Sequence, residues 1–332
     1  MFEASRRESE TLSDSANLVD TRLVAVVDGI DHPTQEVVTV SLTEQAGAKL
    51  PTWEPGAHID LIVGDGLIRQ YSLCGDPADR HHYRLGVLNE PDGRGGSAAV
   101  HQLAVGDRVE ISEPRNHFRL LPAPSYLFIA GGIGITPLMP MMQAATSAGA
   151  DWKLAYGGRR RESIAFGECL HATYGDRVAL YPQDECGLLD VEGLLSGLVP
   201  GSLVYTCGPE PLLNAVESVG EKLAPGTVHV ERFAAKEIDE PVRTEGFTVW
   251  LAKSELALTV PPDRSILEVV TAAGIEVSTS CEDGICGTCE TRVLAGTPDH
   301  RDSVLDEAEK EANDAMMICV SRACGDRLEL DL

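Results

Sequence analysis

Four of the nine cysteines follow a spacing that suits an iron–sulfur cluster. Cys281, Cys286 and Cys289 form a C-x4-C-x2-C run, and Cys319 follows further along the chain. Three thiolates from one loop and a distant fourth form the ligand set of a plant-type 2Fe–2S cluster. Structural zinc favours two C-x2-C units, and this region has one such pair. The sequence therefore predicts a 2Fe–2S cluster on these four cysteines, with zinc or buried thiols as alternatives.

Small residues within the cysteine loop would let the backbone wrap around a cluster. Gly284, Gly287 and Thr288 leave room for backbone amide groups to approach the sulfurs. Cys324 lies close to Cys319, but it has no partner at a ligand spacing. We predict that Cys324 is not a ligand.

The segment RQYSL (69–73) carries groups that could hold an aromatic phosphate ester. Arg69 offers a charge for a phosphate, Tyr71 a ring face, and Ser72 a hydroxyl for a polar ring edge. An Arg and a Tyr on an exposed strand are also common without a ligand. The pattern alone leaves both interpretations open.

A glycine-rich turn, DGRGGSAAVH (92–101), leads into a predicted helix. Gly95, Gly96 and Ser97 would present backbone N–H groups and a hydroxyl at the helix N-terminus, which favours an anion. An ordinary hairpin loop is the alternative. The upstream RQYSL segment favours a phosphate site.

Two further turns follow buried strands. In GGIGITP (131–137), Gly131, Gly132 and Gly134 would let a pyrophosphate approach a helix N-terminus, with Thr136 beyond them. In TCGPEPLL (206–213), Cys207 ends a strand, and Gly208 and Pro209 turn into the next helix. Cys207 could instead be a packed core thiol. Phe233, which ends the segment VERF, could likewise be a core aromatic. Arg159, Arg160 and Arg161 could bind a 2′-phosphate or form a solvated loop.

Three domains would position these groups. Short strands between turn residues predict an antiparallel β-barrel over 18–122. Alternating strands and helices predict an α/β domain with a parallel sheet over 123–235. A linker over 236–246 would lead to an α+β ferredoxin domain over 247–332, and residues 1–17 would form a disordered tail.

The charge balance narrows the possible partners. The formal net charge is −25, which argues against nucleic acid because phosphate binding needs Lys and Arg. No apolar segment has the length of a membrane span, and the N-terminus lacks a signal-peptide core, so a cytoplasmic location is expected. Carboxylates near the cluster loop, including Asp283, Glu290 and Asp302, could steer a basic protein partner.

The motifs together resemble the phthalate dioxygenase reductase family, which includes the reductases of vanillate-type demethylases. STSCEDGICGTCETRVLAGTPDHRDSVL and MMICVSRA are similar to a plant-type, β-grasp-like ferredoxin domain. The resemblance implies that Arg69 contacts a flavin phosphate, while Tyr71 and Ser72 meet the ring. It further implies that the turn at Gly95–Ser97 binds FMN rather than FAD.

The same resemblance implies the remaining roles. Thr136 would lie near the nicotinamide and the flavin, Cys207 beside the nicotinamide C4, and Phe233 over the flavin face before NADH arrives. NADH is expected in preference to NADPH. Because nicotinamides give two electrons together and a 2Fe–2S cluster takes one at a time, a flavin must stand between them.

The expected function is an NADH-dependent reductase that passes electrons from FMN to the cluster and on to a terminal oxygenase or demethylase, usually of the Rieske type. Two alternatives remain at this stage. One is the reductase of a haem-thiolate monooxygenase, and the other is a redox-sensing iron–sulfur binding protein.

Overall fold

The structure is a computed structural model that describes residues 22–64, 66–235 and 242–332. The predicted tail over 1–17 lies outside the described residues, as do positions 236–241 of the predicted linker. The described elements fall into three successive units. The exact domain boundaries stay predictions.

The first unit is an antiparallel sheet that curls into a nearly closed barrel. Its described strands are β1 (Leu23–Asp31), β2 (Val37–Glu44), β3 (His58–Val63), β4 (Leu67–Ser72), β5 (Tyr83–Leu88) and β6 (Arg108–Ile111), in the order β4-β3-β6-β1-β2-β5. A bridge between Leu73 and Leu85 brings the two sheet edges together. A short helix, α1 (Gly96–Val100), follows the glycine-rich turn. Alternating apolar residues, such as Val38, Val40 and Leu42, fill the interior and stabilise this barrel.

The second unit is a parallel sheet covered by helices, as predicted. Its described strands are β7 (Ser125–Gly131), β8 (Asp151–Gly158), β9 (Val178–Pro182), β10 (Leu203–Cys207) and β11 (Val228–Glu231), in the order β11-β10-β7-β8-β9. The helices are α2 (Ile135–Ser147), α3 (Gly167–Tyr174), α4 (Gln183–Cys186), α5 (Val191–Ser196) and α6 (Glu210–Gly220). Since all five strands are parallel, their carboxyl ends share one edge, where ligands of such sheets bind.

The third unit contains a five-stranded mixed sheet, a separate two-stranded sheet, two helices and the cysteine loop. Its elements are β12 (Phe247–Leu251), β13 (Leu256–Val260), α7 (Ile266–Ala272), β14 (Glu290–Ala295), β15 (Pro298–Asp299), α8 (Glu307–Ala312), β16 (Ala315–Met317), β17 (Arg322–Ala323) and β18 (Arg327–Leu330). Ser265 caps α7 through a reciprocal capping box with Glu268. The loop between α7 and β14 carries three of the four predicted ligands.

The predicted fold class is confirmed in all three units. An antiparallel barrel, a parallel α/β unit and an α+β unit follow one another along the chain. No helix within the described ranges is long and apolar enough to span a bilayer.

Candidate functional site

One pocket lies where the three units meet. The barrel contributes most of the lining, the parallel unit contributes the turns after β7 and β11, and the cysteine loop contributes one residue. The residues that carry the argument are Arg69, Tyr71, Ser72, Thr136, Phe233 and Ile285. The sequence motifs from separate units are thus brought to one place.

One end of this pocket, where a phosphate is predicted, is built from Arg69 and the turn before α1. Arg69 donates to the carbonyl oxygens of Ile68 and Arg94 at 2.7 and 2.8 Å, which holds its guanidinium beside that turn. A Cβ on Gly96 would overlap the Arg69 side chain and would lie 2.7 Å from its Nε. Gly95 has φ 82°, a left-handed conformation that favours glycine. Backbone amides and a guanidinium therefore line one cradle that suits a phosphate.

The ring end is formed by the neighbouring residues of β4. Tyr71 is half-buried, and burial raises the pKa of its hydroxyl to about 12, so the ring stays neutral. Ser72 is buried, and both residues line the pocket. Ser97 Oγ accepts a hydrogen bond from the Glu90 amide at 3.1 Å, which fixes the turn. These residues fit a flat aromatic ring that ends in a phosphate.

The turns in GGIGITP (131–137) and TCGPEPLL (206–213) pack against each other through their backbones. A Cβ on Gly134 would overlap the Cys207 carbonyl and would lie 2.6 Å from the Gly208 nitrogen. A Cβ on Gly208 would lie 2.9 Å from Gly131 Cα, and one on Gly131 would lie 2.5 Å from Pro209 Cδ. This close packing places the N-terminus of α2 at the carboxyl edge of the sheet, where Gly132 and Ile133 are partly exposed. Gly132, with φ 54°, completes the turn.

Thr136 and Cys207 lie on either side of this junction. Thr136 is buried, lines the pocket and donates to the Ile133 carbonyl at 2.9 Å. A Cβ on Gly86 of β5 would lie 2.9 Å from Thr136 Cγ2, so the barrel and the parallel unit touch here. Burial and the neighbouring carboxyl group of Glu231 raise the pKa of the Cys207 thiol well above its usual value. Cys207 is therefore a neutral thiol.

Glu231 is a buried carboxyl group that the sequence motifs did not single out. It ends β11, pairs in register with Cys207, and lines the pocket. Its Oε2 is buried and has no hydrogen-bond partner among the described residues. Burial raises its pKa to about 8. The only sequence signal was an acidic residue at the end of a buried strand.

Phe233 follows two residues after β11 and lines the pocket, with 44% of its surface exposed. An aromatic ring of this size is more often buried in a core. Its position at the rim fits the predicted role of covering a bound ring.

The four predicted cluster ligands come together as two pairs of thiols. A hydrogen bond from Cys281 lowers the pKa of Cys286 to about 6, and a hydrogen bond from Cys319 likewise lowers the pKa of Cys289. Within the described ranges, no three His, Cys, Asp or Glu side chains converge as they would on a single metal ion. Two pairs of sulfurs instead suit two irons, with two thiolates on each.

The loop backbone supports this arrangement. Gly284 and Gly287 have φ angles of 72° and 74°, which other residues rarely adopt. The Asp283 amide donates to Cys281 Sγ at 3.3 Å, and Thr288 Oγ1 lies 3.1 Å from Cys286 Sγ. Cys324 lies apart from the four, and its thiol donates to the Pro298 carbonyl at 3.4 Å. The donor set and the amides fit a 2Fe–2S cluster.

Two predictions about charged residues need revision. Asp302 is 6% exposed, and its carboxylate accepts the amides of Val304 and Leu305, so it shapes the loop and cannot face a partner. Asp283 is partly exposed, but its carboxylate forms an ion pair with Arg94 of the barrel. Local charge counting missed both features because each depends on the folded structure around the residue.

The arginine run after β8 is partly neutralised. Arg161 makes a two-pronged ion pair with Glu185, with Nε–Oε1 and Nη2–Oε2 distances of 3.0 and 2.6 Å. Arg160 lies 3.9 Å from Glu162, and Arg159 is exposed. These residues follow β8 and β9, at the same carboxyl edge as the glycine turns.

The three units and the pocket between them define a flavin- and nicotinamide-dependent iron–sulfur reductase. Residues 251–324 match the 2Fe-2S iron-sulfur cluster binding domain family. The chain is 44% identical to the phenoxybenzoate dioxygenase subunit beta of Ectopseudomonas oleovorans, over 95% of this chain and 97% of that protein. The chain belongs to the phthalate dioxygenase reductase family.

Two solved structures share this architecture. Phthalate dioxygenase reductase is 36% identical, with a TM-score of 0.69 over 94% of this chain and 98% of that one. An intact type IV self-sufficient cytochrome P450 monooxygenase is 41% identical, with a TM-score of 0.89. The match covers 94% of this chain but only 41% of the longer P450 protein.

Proposed function

We propose that this protein takes electrons from NADH and passes them through FMN and a 2Fe–2S cluster to a separate terminal oxygenase or demethylase. The observation that carries the proposal is the pocket lined jointly by Tyr71, Thr136, Phe233 and Ile285, which come from three units. One site where a flavin, a nicotinamide and a cluster can meet is what such a relay needs.

The flavin phosphate site supports FMN over FAD. Arg69 and the turn at Gly95–Ser97 form one cradle within the barrel, and a guanidinium with backbone amides suits a terminal phosphate. Tyr71 and Ser72 would hold the ring. A bound flavin can accept a hydride from a nicotinamide and release electrons singly.

The parallel unit would deliver the nicotinamide. Glycines 131, 132, 134 and 208 leave the N-terminus of α2 open for a pyrophosphate, and Pro209 shapes the adjoining turn. Thr136 and Cys207 would contact the nicotinamide ring, and Phe233 would cover the flavin until it arrives. Tyr71 and Cys207 would themselves add no charge beside the rings, because burial raises the pKa of both groups.

The adenosine end supports NADH over NADPH. Two N–H groups of the Arg161 guanidinium already donate to the Glu185 carboxylate. Without Glu185, the same two donors would be available to a 2′-phosphate. A carboxylate at this position would also repel such a phosphate.

A Rieske-type oxygenase is the first candidate for the acceptor, because phenoxybenzoate dioxygenase and phthalate dioxygenase reductase are both named as dioxygenase components. A haem-thiolate monooxygenase is the second candidate, since the P450 protein gives the higher TM-score. A redox sensor is less well supported because it needs no nicotinamide site. Nine cysteines without a disulfide favour a cytoplasmic location.

The proposal is tested by anaerobic addition of NADH to the full chain carrying flavin and cluster. Loss of flavin absorbance followed by reduction of the cluster is expected, and NADPH should act more slowly. Purified Rieske-type and haem-thiolate oxygenases, offered in parallel, would then identify the acceptor class. Absence of flavin reduction by either nucleotide would refute the proposal.

A further inference from the structure

Two polar contacts join the barrel to the cluster loop, one on each side of Cys281. Gln70 Nε2 donates to Ser280 Oγ at 2.5 Å, and Arg94 Nη2 lies 2.6 Å from Asp283 Oδ2. Both barrel residues adjoin the flavin cradle, since Gln70 stands between Arg69 and Tyr71 and Arg94 precedes Gly95. The same short segments thus face the flavin and the cluster loop.

A buried charged group fixes the side chain of Gln70. Gln70 Nε2 donates to Asp60 Oδ1 at 2.9 Å, and the same oxygen accepts from Arg115 Nη2 at 2.6 Å. Asp60 is 2% exposed. If Gln70 turned away, the buried Asp60 carboxylate would lose a hydrogen bond, which costs free energy. The donor that reaches Ser280 is therefore held in one orientation.

Asp283 links the phosphate turn to a ligand sulfur. Its carboxylate pairs with Arg94, while its backbone amide donates to Cys281 Sγ. The carbonyl of Arg94 in turn accepts from Arg69. A continuous set of contacts therefore runs from the flavin phosphate site to one cluster ligand.

Apolar and close backbone contacts seat the rest of the loop. Ile285 lines the flavin pocket, and a Cβ on Gly287 would overlap the ring of His117 on the barrel, 2.5 Å from its Cε1. These contacts hold the cluster loop against the barrel, but they have no directional preference that would fix its position along the surface. The two polar contacts flanking Cys281 supply that direction.

We propose that Gln70 and Arg94 are positioning residues that hold Cys281 at a fixed separation from the flavin and so set the rate of electron transfer between flavin and cluster. The inference rests on the proposed function. In each transfer one electron leaves the reduced flavin and reduces one ferric iron to ferrous iron, with NADH as the original reductant. No bond to the protein forms or breaks.

The test uses the full chain with flavin and cluster, mixed anaerobically with NADH in a stopped-flow instrument. Ser280→Ala and Asp283→Asn are made separately and together. Flavin-to-cluster transfer should slow about tenfold in the double variant, equivalent to about 1.4 kcal/mol. Glu282→Gln is the matched control, because Glu282 lies in the same loop, is exposed and makes the same change in charge.

Two further readouts separate positioning from a change in the cluster itself. Amide hydrogen exchange should quicken in residues 67–72 and 278–290 of the double variant and stay unchanged in Glu282→Gln. The midpoint potential of the cluster should stay close to that of the wild-type protein. A potential shift large enough to account for the slower rate would overturn the positioning role.

If Ser280→Ala loses its cluster, a variant on the barrel side still tests the positioning role. Arg94→Gln should reproduce the effect of Asp283→Asn, and combining the two should add nothing further. Transfer as fast as in Glu282→Gln would overturn the inference. A wild-type protein whose flavin is not reduced by NADH would instead refute the proposed function.

Discussion

Glu231 should make the stability of the parallel unit fall as pH rises, and Glu231→Gln should remove this dependence. The folded pKa of Glu231 is raised from 4.5 to about 8 because the carboxyl group is buried. Between those values the folded state keeps a proton that the unfolded state has released. The contribution of Glu231 is therefore most favourable below pH 4.5 and is lost as pH rises through about 8.

The magnitude follows from the same pKa difference. One pKa unit corresponds to about 1.36 kcal/mol, so the change from 4.5 to about 8 bounds the effect at about 5 kcal/mol. The residue as a whole is only half-buried, so water relieves part of the cost of ionisation. We expect ionisation of Glu231 to lower the free energy of unfolding by about 2 kcal/mol. This corresponds to a decrease in melting temperature of roughly 5–10 °C for a domain of this size.

The assay is thermal unfolding of the flavin-free protein from pH 5 to pH 9, followed for the transition of the parallel unit. Wild-type protein should lose stability across this range relative to Glu231→Gln. Glu221→Gln is the matched control, because Glu221 is an exposed carboxylate of the same unit. Parallel pH curves for wild-type and Glu231→Gln protein would contradict the burial argument.

Cys319→Ser should lose the cluster while Cys324→Ser keeps two irons and two sulfides per chain, as measured by iron and sulfide analysis; the reverse result would reassign the fourth ligand. Released flavin should chromatograph as FMN, and Gly96→Ala should weaken its retention about ten- to hundredfold by displacing Arg69; unchanged retention in a flavin titration would exclude this cradle. Glu185→Gln should raise kcat/KM with NADPH relative to NADH severalfold, because it frees the Arg161 guanidinium and removes a negative charge beside it; an unchanged ratio would show that this ion pair does not determine nucleotide choice.

Local spacing carried most of what the sequence could predict. The cysteine loop, RQYSL and the glycine turns each place their functional groups within a few residues of one another. Such patterns can be recognised without knowledge of the fold. The alternation of strands and helices likewise predicted three units and the parallel sheet, which the structure confirms.

What the sequence could not predict depends on residues that are far apart along the chain. The contact of Gln70 with Ser280 spans 210 positions, and nothing in either segment points to the other. Glu231 resembles any strand-end carboxylate until its burial beside Cys207 is known. Asp302 looks like a surface charge until the folded loop encloses it.

If the nucleotide binds as proposed, the packing of Gly131, Gly134 and Gly208 divides its site into a part that tolerates substitution and a part that does not. A single added methyl at these glycines would drive the end of β7 away from the end of β10, because the nearest obstructing atom in each case belongs to the backbone or to a proline ring. The side chains of the arginine run beside Glu185 are exposed, and exposed loop positions in general tolerate substitution better than packed ones. Under the proposed function, selection would exchange one nicotinamide donor for another by point mutations in the arginine run, while the packed glycine turns that would present the nicotinamide stay unchanged.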